Sequence, residues 1–304
     1  MNEVENSIFK TIIYFDALSY PLKTKEIFEN LQTVPNMMEV SFLNFKNCLL
    51  NLQNYLGNKD GFWFLKGREF LIEERKRREL ISKENFKKLA KIAKKINRAP
   101  FLKGIFVSGS LAILNSTENS DIDLLVVAKK GRIFTVRFFL TILLDLMGER
   151  RKPGREAQKI CLNHYLTEDS LEVRYPSLYN AYTYLHLLPI LNRDNVFERF
   201  RKANEWMKDY IIFVGLTRQP PFEIEKSSKL AMFLEKKLSG SFGDFLEKKL
   251  KEIQIKRKEK KYPSPFKKSE GRVILEDNLI ELHPDSPENK ILREYGEKVA
   301  KIIK

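Results

Sequence analysis

Two aspartates, Asp121 and Asp123, stand at the head of the apolar run Leu124-Leu125-Val126-Val127 with one residue between them. Side chains at i and i+2 of a strand point the same way, so both carboxylates project from one face and repel each other. An apolar strand tolerates such a pair when a cation sits between the two. Mg²⁺ suits the position, because it takes a few carboxylates, keeps waters and recruits phosphate oxygens. A second apolar segment, Ile105-Phe106-Val107-Ser108, ends in Gly109-Ser110, and ten residues separate Ser110 from Asp121. Glycine lets the backbone approach a phosphate there, while N–H groups and the Ser110 hydroxyl can grip its oxygens. Either half alone is commonplace. Jointly they describe a place where a metal-bridged triphosphate is held for in-line attack.

The order hydrophobic-Gly-Ser, ten residues, Asp-hydrophobic-Asp-hydrophobic resembles the signature of the DNA polymerase beta-like nucleotidyltransferase superfamily. The resemblance spans about 86–215 and includes a following helical region like that of the minimal, kanamycin-type members. It implies an α+β core with a mixed sheet and a two-metal Mg²⁺ site on Asp121 and Asp123. A nucleoside triphosphate, ATP among the candidates, would be held by Gly109 and Ser110. The implied reaction moves a nucleoside monophosphate onto a hydroxyl of a small molecule, a protein or a nucleic acid. The superfamily usually carries a third carboxylate on the neighbouring strand. That strand reads Ile160-Cys161-Leu162-Asn163-His164-Tyr165-Leu166, and Asn163 holds the matching position. Its carbonyl oxygen can ligate Mg²⁺, but an amide is no base near neutral pH. Transfer is therefore expected to be slow, substrate-assisted or lost. His164 is the obvious substitute base, but it should face the other side of the strand, where a hydrogen-bonded structural role is expected. Arg137, on the helix after the second strand, is a candidate phosphate ligand or a partner for a nearby carboxylate.

The positioning elements follow from periodicity. Gly104–Ser108, Ile122–Ala128 and Ile160–Leu166 read as strands, and Phe134–Met147 as a helix. Upstream, Ile8, Ile12 and Phe15 mark one helix. A second is capped by Thr24 and carries Ile27, Phe28 and Leu31; a third starts at Ser41 and carries Phe42, Phe45, Leu49 and Leu52. Gly61–Leu65 reads as a strand, Lys66–Arg68 as a turn and Glu69–Ile72 as the return strand. Three helices and a hairpin over 7–72 resemble a winged helix-turn-helix. Residues 178–214 read as helical with a break at Pro189, and 228–250 as one helix. A basic linker at 251–272, a last short strand and a closing helix at 289–303 finish the chain. The expected division is a winged-helix-like unit at 1–75, the nucleotidyltransferase core with its basic lead-in helix at 76–175, a helical domain at 176–250, and a tail at 251–304.

Net charge is +15 over 304 residues, which favours a polyanionic partner. Residues 73–98 hold eleven Lys or Arg against four Glu, and 251–272 hold nine against three, so non-specific nucleic-acid contact would run through these two segments. The presumed recognition helix is poor in charge: between Ser41 and Asn54 only Lys46 is basic, with Asn44, Asn47, Asn51 and Gln53 as base-reading candidates. The alternative function is thus a nucleic-acid-binding regulator whose nucleotidyltransferase core senses nucleotide and is weakly active or inactive. Cys48 and Cys161 lie among apolar neighbours in no disulfide or zinc spacing. The longest apolar stretch, Phe138–Leu144, is too short to span a bilayer. A cytoplasmic protein with no membrane partner is expected.

Overall fold

The computed structural model describes residues 1–34, 40–212, 218–261, 272–284 and 286–302. The N-terminal unit comprises α1 (Glu3–Ala17), β1 (Leu22–Lys23), α2 (Thr24–Glu29), α3 (Phe42–Asn51), β2 (Leu56–Lys59) and β3 (Phe62–Leu65). Asn2 and Glu5 form a reciprocal capping box at the start of α1. The Ser41 hydroxyl caps α3 as its sequence position suggests. Lys23, and not Thr24, is the capping residue of α2; Thr24 accepts a hydrogen bond from the Trp63 indole at 3.0 Å. The hairpin also lies earlier than expected. Asp60 and Gly61 both have positive φ and join β2 to β3, the turn chemistry that favours Asp-Gly in two-residue hairpins. Glu69–Ile72 therefore forms no return strand, and the chain enters α4 (Leu71–Ile96). β1 adds to the pair in the order β1-β3-β2.

After α4 come β4 (Leu102–Val107), α5 (Gly109–Ala112), β5 (Ile122–Ala128), α6 (Ile133–Leu146), β6 (Ile160–Thr167) and α7 (Leu178–Leu185). Then follow β7 (Leu188–Asn192), α8 (Val196–Ala203), α9 (Lys229–Lys237), α10 (Ser241–Lys261), β8 (Arg272–Leu275), β9 (Leu279–His283) and α11 (Glu288–Ile302). Six strands make one mixed sheet in the order β7-β4-β5-β6-β9-β8. β5 and β6 run parallel, joined by the α6 crossover that parallel pairing needs, and the other neighbours are antiparallel. Val107 pairs with Leu124, which brings the Gly109-Ser110 turn beside the head of β5.

Alternation along β5 sorts the molecule into layers. Ile122, Leu124, Val126 and Ala128 enter one core with α4, α6 and part of α10, while Leu125 and Val127 enter another. That second core takes Phe106 and Leu166 from the sheet, Tyr182 from α7 and Phe200 from α8. It also takes Ile8, Phe9, Ile12 and Phe15 from α1. The N-terminal unit is thus a roof over one face of the sheet, with a shared apolar core.

The four-segment division differs from this architecture. β7, expected inside a helical domain, is an edge strand of the central sheet; Pro189 is tolerated there because an edge needs no N–H, and the register shifts opposite it. Two C-terminal strands, rather than one, extend the same sheet past β6. The helix expected over 228–250 is broken between Lys237 and Ser241, and its second part runs into the basic segment as far as Lys261. Residues 262–271, with Pro263 and Pro265, and residues 213 and 214 lie outside the described residues. Among the described residues no helix is long and apolar enough to cross a membrane.

Arg75 ties α4 to the N-terminal unit. Its side chain is almost fully buried and pairs with Glu26 at 2.6 Å and Glu79 at 3.0 Å. It also donates to the Pro21 carbonyl and lies 3.9 Å from the Tyr20 ring centroid. Removing one partner of such a pair leaves buried polar groups without compensation. Arg75→Ala should cost about 3 kcal/mol of stability in urea unfolding. A loss below about 1 kcal/mol, the level of a surface pair, would show that it is no anchor.

Candidate functional site

The site forms where β4 and β5 end side by side. The Ser108 N–H donates to the Asp123 carbonyl at 3.0 Å, which fixes the strand exit. Gly109 then turns with φ +62°, a left-handed conformation, and a Cβ placed on it would lie 2.7 Å from Asp123 Oδ2. Glycine is required twice here, by the backbone angle and by the carboxylate packed against it. The segment after α5 is held from two sides. The Asn115 amide donates to the Leu18 carbonyl at 3.1 Å, and the Tyr20 hydroxyl donates to Ile113 O at 2.6 Å.

Asp121, Asp123 and Cys161 present ligand-type atoms that all lie within 4.8 Å of one another. Withdrawal from solvent, added to the charge of Asp121, raises Asp123 to about 7; Arg151 and hydrogen bonds from Cys161 and Asn163 oppose the shift. Burial is the larger cause and the neighbouring carboxylate the smaller. Arg151 supplies the opposing charge, with Nη1 2.9 Å from Asp121 Oδ2 and Nη2 3.1 Å from Glu156. Burial and the charge of Asp123 push the Cys161 thiol well above its ordinary range, so it stays protonated and acts as a donor. The usable ligands are then oxygens. Two carboxylates beside an amide suit a hard cation such as Mg²⁺ better than a thiophilic one.

Asn163 lies on the site side of β6, with its amide nitrogen 3.4 Å from Asp123 Oδ1. The same nitrogen is 3.1 Å from His283 Nδ1. An amide N–H only donates, so in this arrangement His283 accepts at Nδ1 and carries its proton on Nε2. Burial holds His283 down at about 4, and the ring is neutral near pH 7. An extra residue in β6 shifts the register between Asp123↔Cys161 and Leu125↔His164. His164 is buried, lies 3.4 Å from the Tyr184 hydroxyl and is lowered to about 4 by burial, yet after the register shift it lines the same cavity as Asn163 and does not face away from it.

These groups line a cavity of about 220 Å³, with Arg151, Arg272 and His283 on its walls beside Asp121, Asp123 and Asn163. Arg272 is held by Glu281 at 2.6 Å and Glu288 at 2.9 Å. Ser110 opens onto an adjoining cavity that shares Gly109 and Asp123 with the first. Five of the six residues singled out from sequence thus gather around Asp123. Arg137 stands apart: it bonds Gln254 of α10 through Nη1, its buried environment lowers its pKa, and it lines neither cavity. Arg151, Arg272 and His283 carried no sequence signal. Arg151 lies in an irregular segment, and the other two reach the site through pairing of β9 with β6.

Residues 86–186 match the family model of the nucleotidyltransferase domain. The match contains Gly109, Ser110, Asp121, Asp123 and Asn163 and supports general nucleotidyl transfer; Arg272 and His283 lie beyond it. Among curated proteins and among solved structures, none matches the chain significantly.

Gly109→Ala should separate the two demands on this turn. The left-handed angle alone should cost roughly 1–2 kcal/mol of stability. Displacement of Asp123 should also weaken Mn²⁺ or Mg²⁺ binding by about tenfold in calorimetry. A variant with unchanged cation affinity would show that the glycine serves the backbone only.

Proposed function

We propose that the chain is a Mg²⁺-dependent nucleotidyltransferase that moves a nucleoside monophosphate from a nucleoside triphosphate to a hydroxyl, with pyrophosphate leaving. The observation that carries this reading is the convergence of Asp121 and Asp123 with the Gly109-Ser110 turn at the ends of two adjacent strands. The two aspartates and the Asn163 amide would hold the cation. Once bound, Mg²⁺ would neutralise the triphosphate and polarise the reacting phosphorus. The Gly109 backbone and the Ser110 hydroxyl would orient phosphate oxygens. Arg151 and Arg272 add positive charge to the same wall.

Proton removal is the weak point of this site. Asn163 cannot accept a proton, and His283 has its Nδ1 engaged by that same amide. The reading that fits is slow transfer, with the hydroxyl proton passing to a substrate phosphate oxygen or with an acceptor that is already acidic.

A winged-helix-like role for the N-terminal unit draws support from its element order. Nucleic-acid recognition by it does not. α3 exposes Phe42, Leu43 and Leu50 beside Asn44, Lys46, Asn47 and Asn51, a mixed face with one cation to offer phosphates. On α4, Arg75, Lys76, Arg77, Arg78, Lys87 and Lys88 are engaged by carboxylates of this same chain. A polyanion would compete with those pairs, while Lys83, Lys91, Lys94, Lys95 and Arg98 are exposed and in no ion pair among the described residues. This fits non-specific contact rather than site reading, and the regulator reading stands second.

The test is incubation with each α-labelled triphosphate, Mg²⁺ and fractions of cellular RNA, protein or small molecules, followed by detection of label and pyrophosphate. Labelling should need Mg²⁺, and Asp123→Asn should lower Mg²⁺-dependent triphosphate affinity about tenfold or more. Asn163→Asp should raise turnover while triphosphate affinity stays similar. Wild-type affinity in Asp123→Asn would make the acidic pair structural and defeat the proposal.

A further inference from the structure

The adjoining cavity, about 270 Å³, differs in character from the first although Gly109, Asp123, Tyr179 and Thr183 line both. Arg151 and Arg272 are the two cations among the described residues of the first, set against Asp121, Asp123 and Glu281, so a phosphate chain would take up arginine pairing that those carboxylates now hold. Among the described residues lining the second there is no Lys or Arg, and Asp123 is its one acidic side chain. A triphosphate chain has no cationic counter-charge there, and Ser110, which lines this cavity beside the shared Gly109, would meet a phosphate oxygen only at the junction of the two. Much of the remaining wall is aromatic. Tyr14 and Phe15 come from α1, Tyr182 from α7 and His186 from the end of α7. Tyr14 and Tyr182 stack at 4.3 Å, and the His186 ring lies 9° from the plane of Tyr182.

His186 supplies an independent pointer. Its Nε2 is buried and has no hydrogen-bond partner among the described residues. Buried polar atoms are nearly always satisfied, and one left over where His186 borders both this cavity and a smaller one with Glu26 and Arg218 calls for a ligand group or a water. The reaction geometry gives the cavity a place. In an in-line displacement the attacking oxygen and the leaving pyrophosphate lie on opposite sides of the reacting phosphorus. With the phosphates drawn to the arginine-lined cavity and the reaction centred at Asp123, the acceptor hydroxyl arrives through the other one.

We propose that this second cavity is the acceptor subsite and that the acceptor is a small, uncharged aromatic molecule bearing a hydroxyl, its ring against Tyr182 and a polar group on His186. The inference rests on the nucleotidyltransferase reading and deepens it. In the step itself the acceptor oxygen forms a bond to the α-phosphorus, the bond from that phosphorus to the pyrophosphate oxygen breaks, and the hydroxyl proton passes to a phosphate oxygen. α1 lies outside the matched family segment, so the N-terminal unit supplies part of the substrate site in this chain.

The full-length protein should be titrated by ligand-observed NMR with 4-hydroxyacetanilide as the uncharged probe, and with tyramine and 4-hydroxybenzoate as its cationic and anionic counterparts. Inorganic tripolyphosphate with Mg²⁺ reports separately on the first cavity. The uncharged phenol should bind at least tenfold more tightly than either charged one, and Mg²⁺-ATP should not displace it. Ile113→Trp, which fills the cavity, and His186→Phe, which keeps the ring and removes its nitrogens, should each weaken the phenol at least tenfold. Both should leave tripolyphosphate binding and the thermal unfolding midpoint near wild type. Failure of tripolyphosphate to bind the wild-type protein would count against the transferase reading itself. Bound tripolyphosphate with no phenol binding, or with both variants at wild-type phenol affinity, would overturn the acceptor subsite alone. Competitive displacement by Mg²⁺-ATP would overturn it too, by showing that the cavity takes the nucleoside end of the triphosphate.

Discussion

Keeping two carboxylates together at the buried end of a strand is the constraint on which the site depends. Like charges at this spacing disfavour joint ionisation, and withdrawal from water adds to the cost. Each neighbour of Asp123 responds to that problem. Gly109 leaves out a side chain so that the carboxylate can pack on its backbone. Arg151 pairs with Asp121, the Cys161 thiol donates without ionising, and the Asn163 amide donates where a third carboxylate would have increased the repulsion. Without a cation, the pair is partly compensated and Asp123 remains raised to about 7. A hard cation at this place would relieve what burial and the neighbouring carboxylate impose, which is the proposed role of the pair.

The rest of the fold keeps this arrangement away from solvent. One face of the sheet packs on α4 and α6, and the face that carries Asp121 and Asp123 is covered by α1, α7, α8 and α11. The C-terminal strands lengthen the sheet beyond β6 and deliver Arg272 and His283 to one wall. The N-terminal unit contributes a wall on the other side of Asp123. The two cavities beside Asp123 are thus walled by segments from the N-terminal unit and from the C-terminal strands.

The centre of the site was legible in the sequence because its information is local. Gly109-Ser110 and Asp121-Ile122-Asp123 each sit at the end of an apolar strand, and strand alternation suffices to place the carboxylates together. Asn163 was reached through the family resemblance, as the position that matches a third carboxylate one strand over. What periodicity missed is long-range. β7 was hidden by Pro189, which reads as a helix break until the strand is known to be an edge. Arg272 and His283 depend on the antiparallel pairing of β9 with β6, more than a hundred residues apart, and nothing in either segment announces its partner. Arg137 shows the reverse failure: a cation on the right helix whose side chain turns to α10. The hairpin was expected too late because Gly61 reads as the start of a strand, when Asp60-Gly61 is the turn.

The most direct test of the central claim is crystallographic. Crystals of the full-length protein grown with Mn²⁺ and a non-hydrolysable nucleoside triphosphate should give an anomalous peak between the carboxylates of Asp121 and Asp123. Phosphate oxygens should lie within hydrogen-bond distance of the Gly109-Ser110 backbone, and the Arg151 pair with Asp121 should loosen as the cation takes over its role. Manganese bound elsewhere with those carboxylates still paired to Arg151, or a triphosphate seated away from the Gly109-Ser110 turn, would contradict the account.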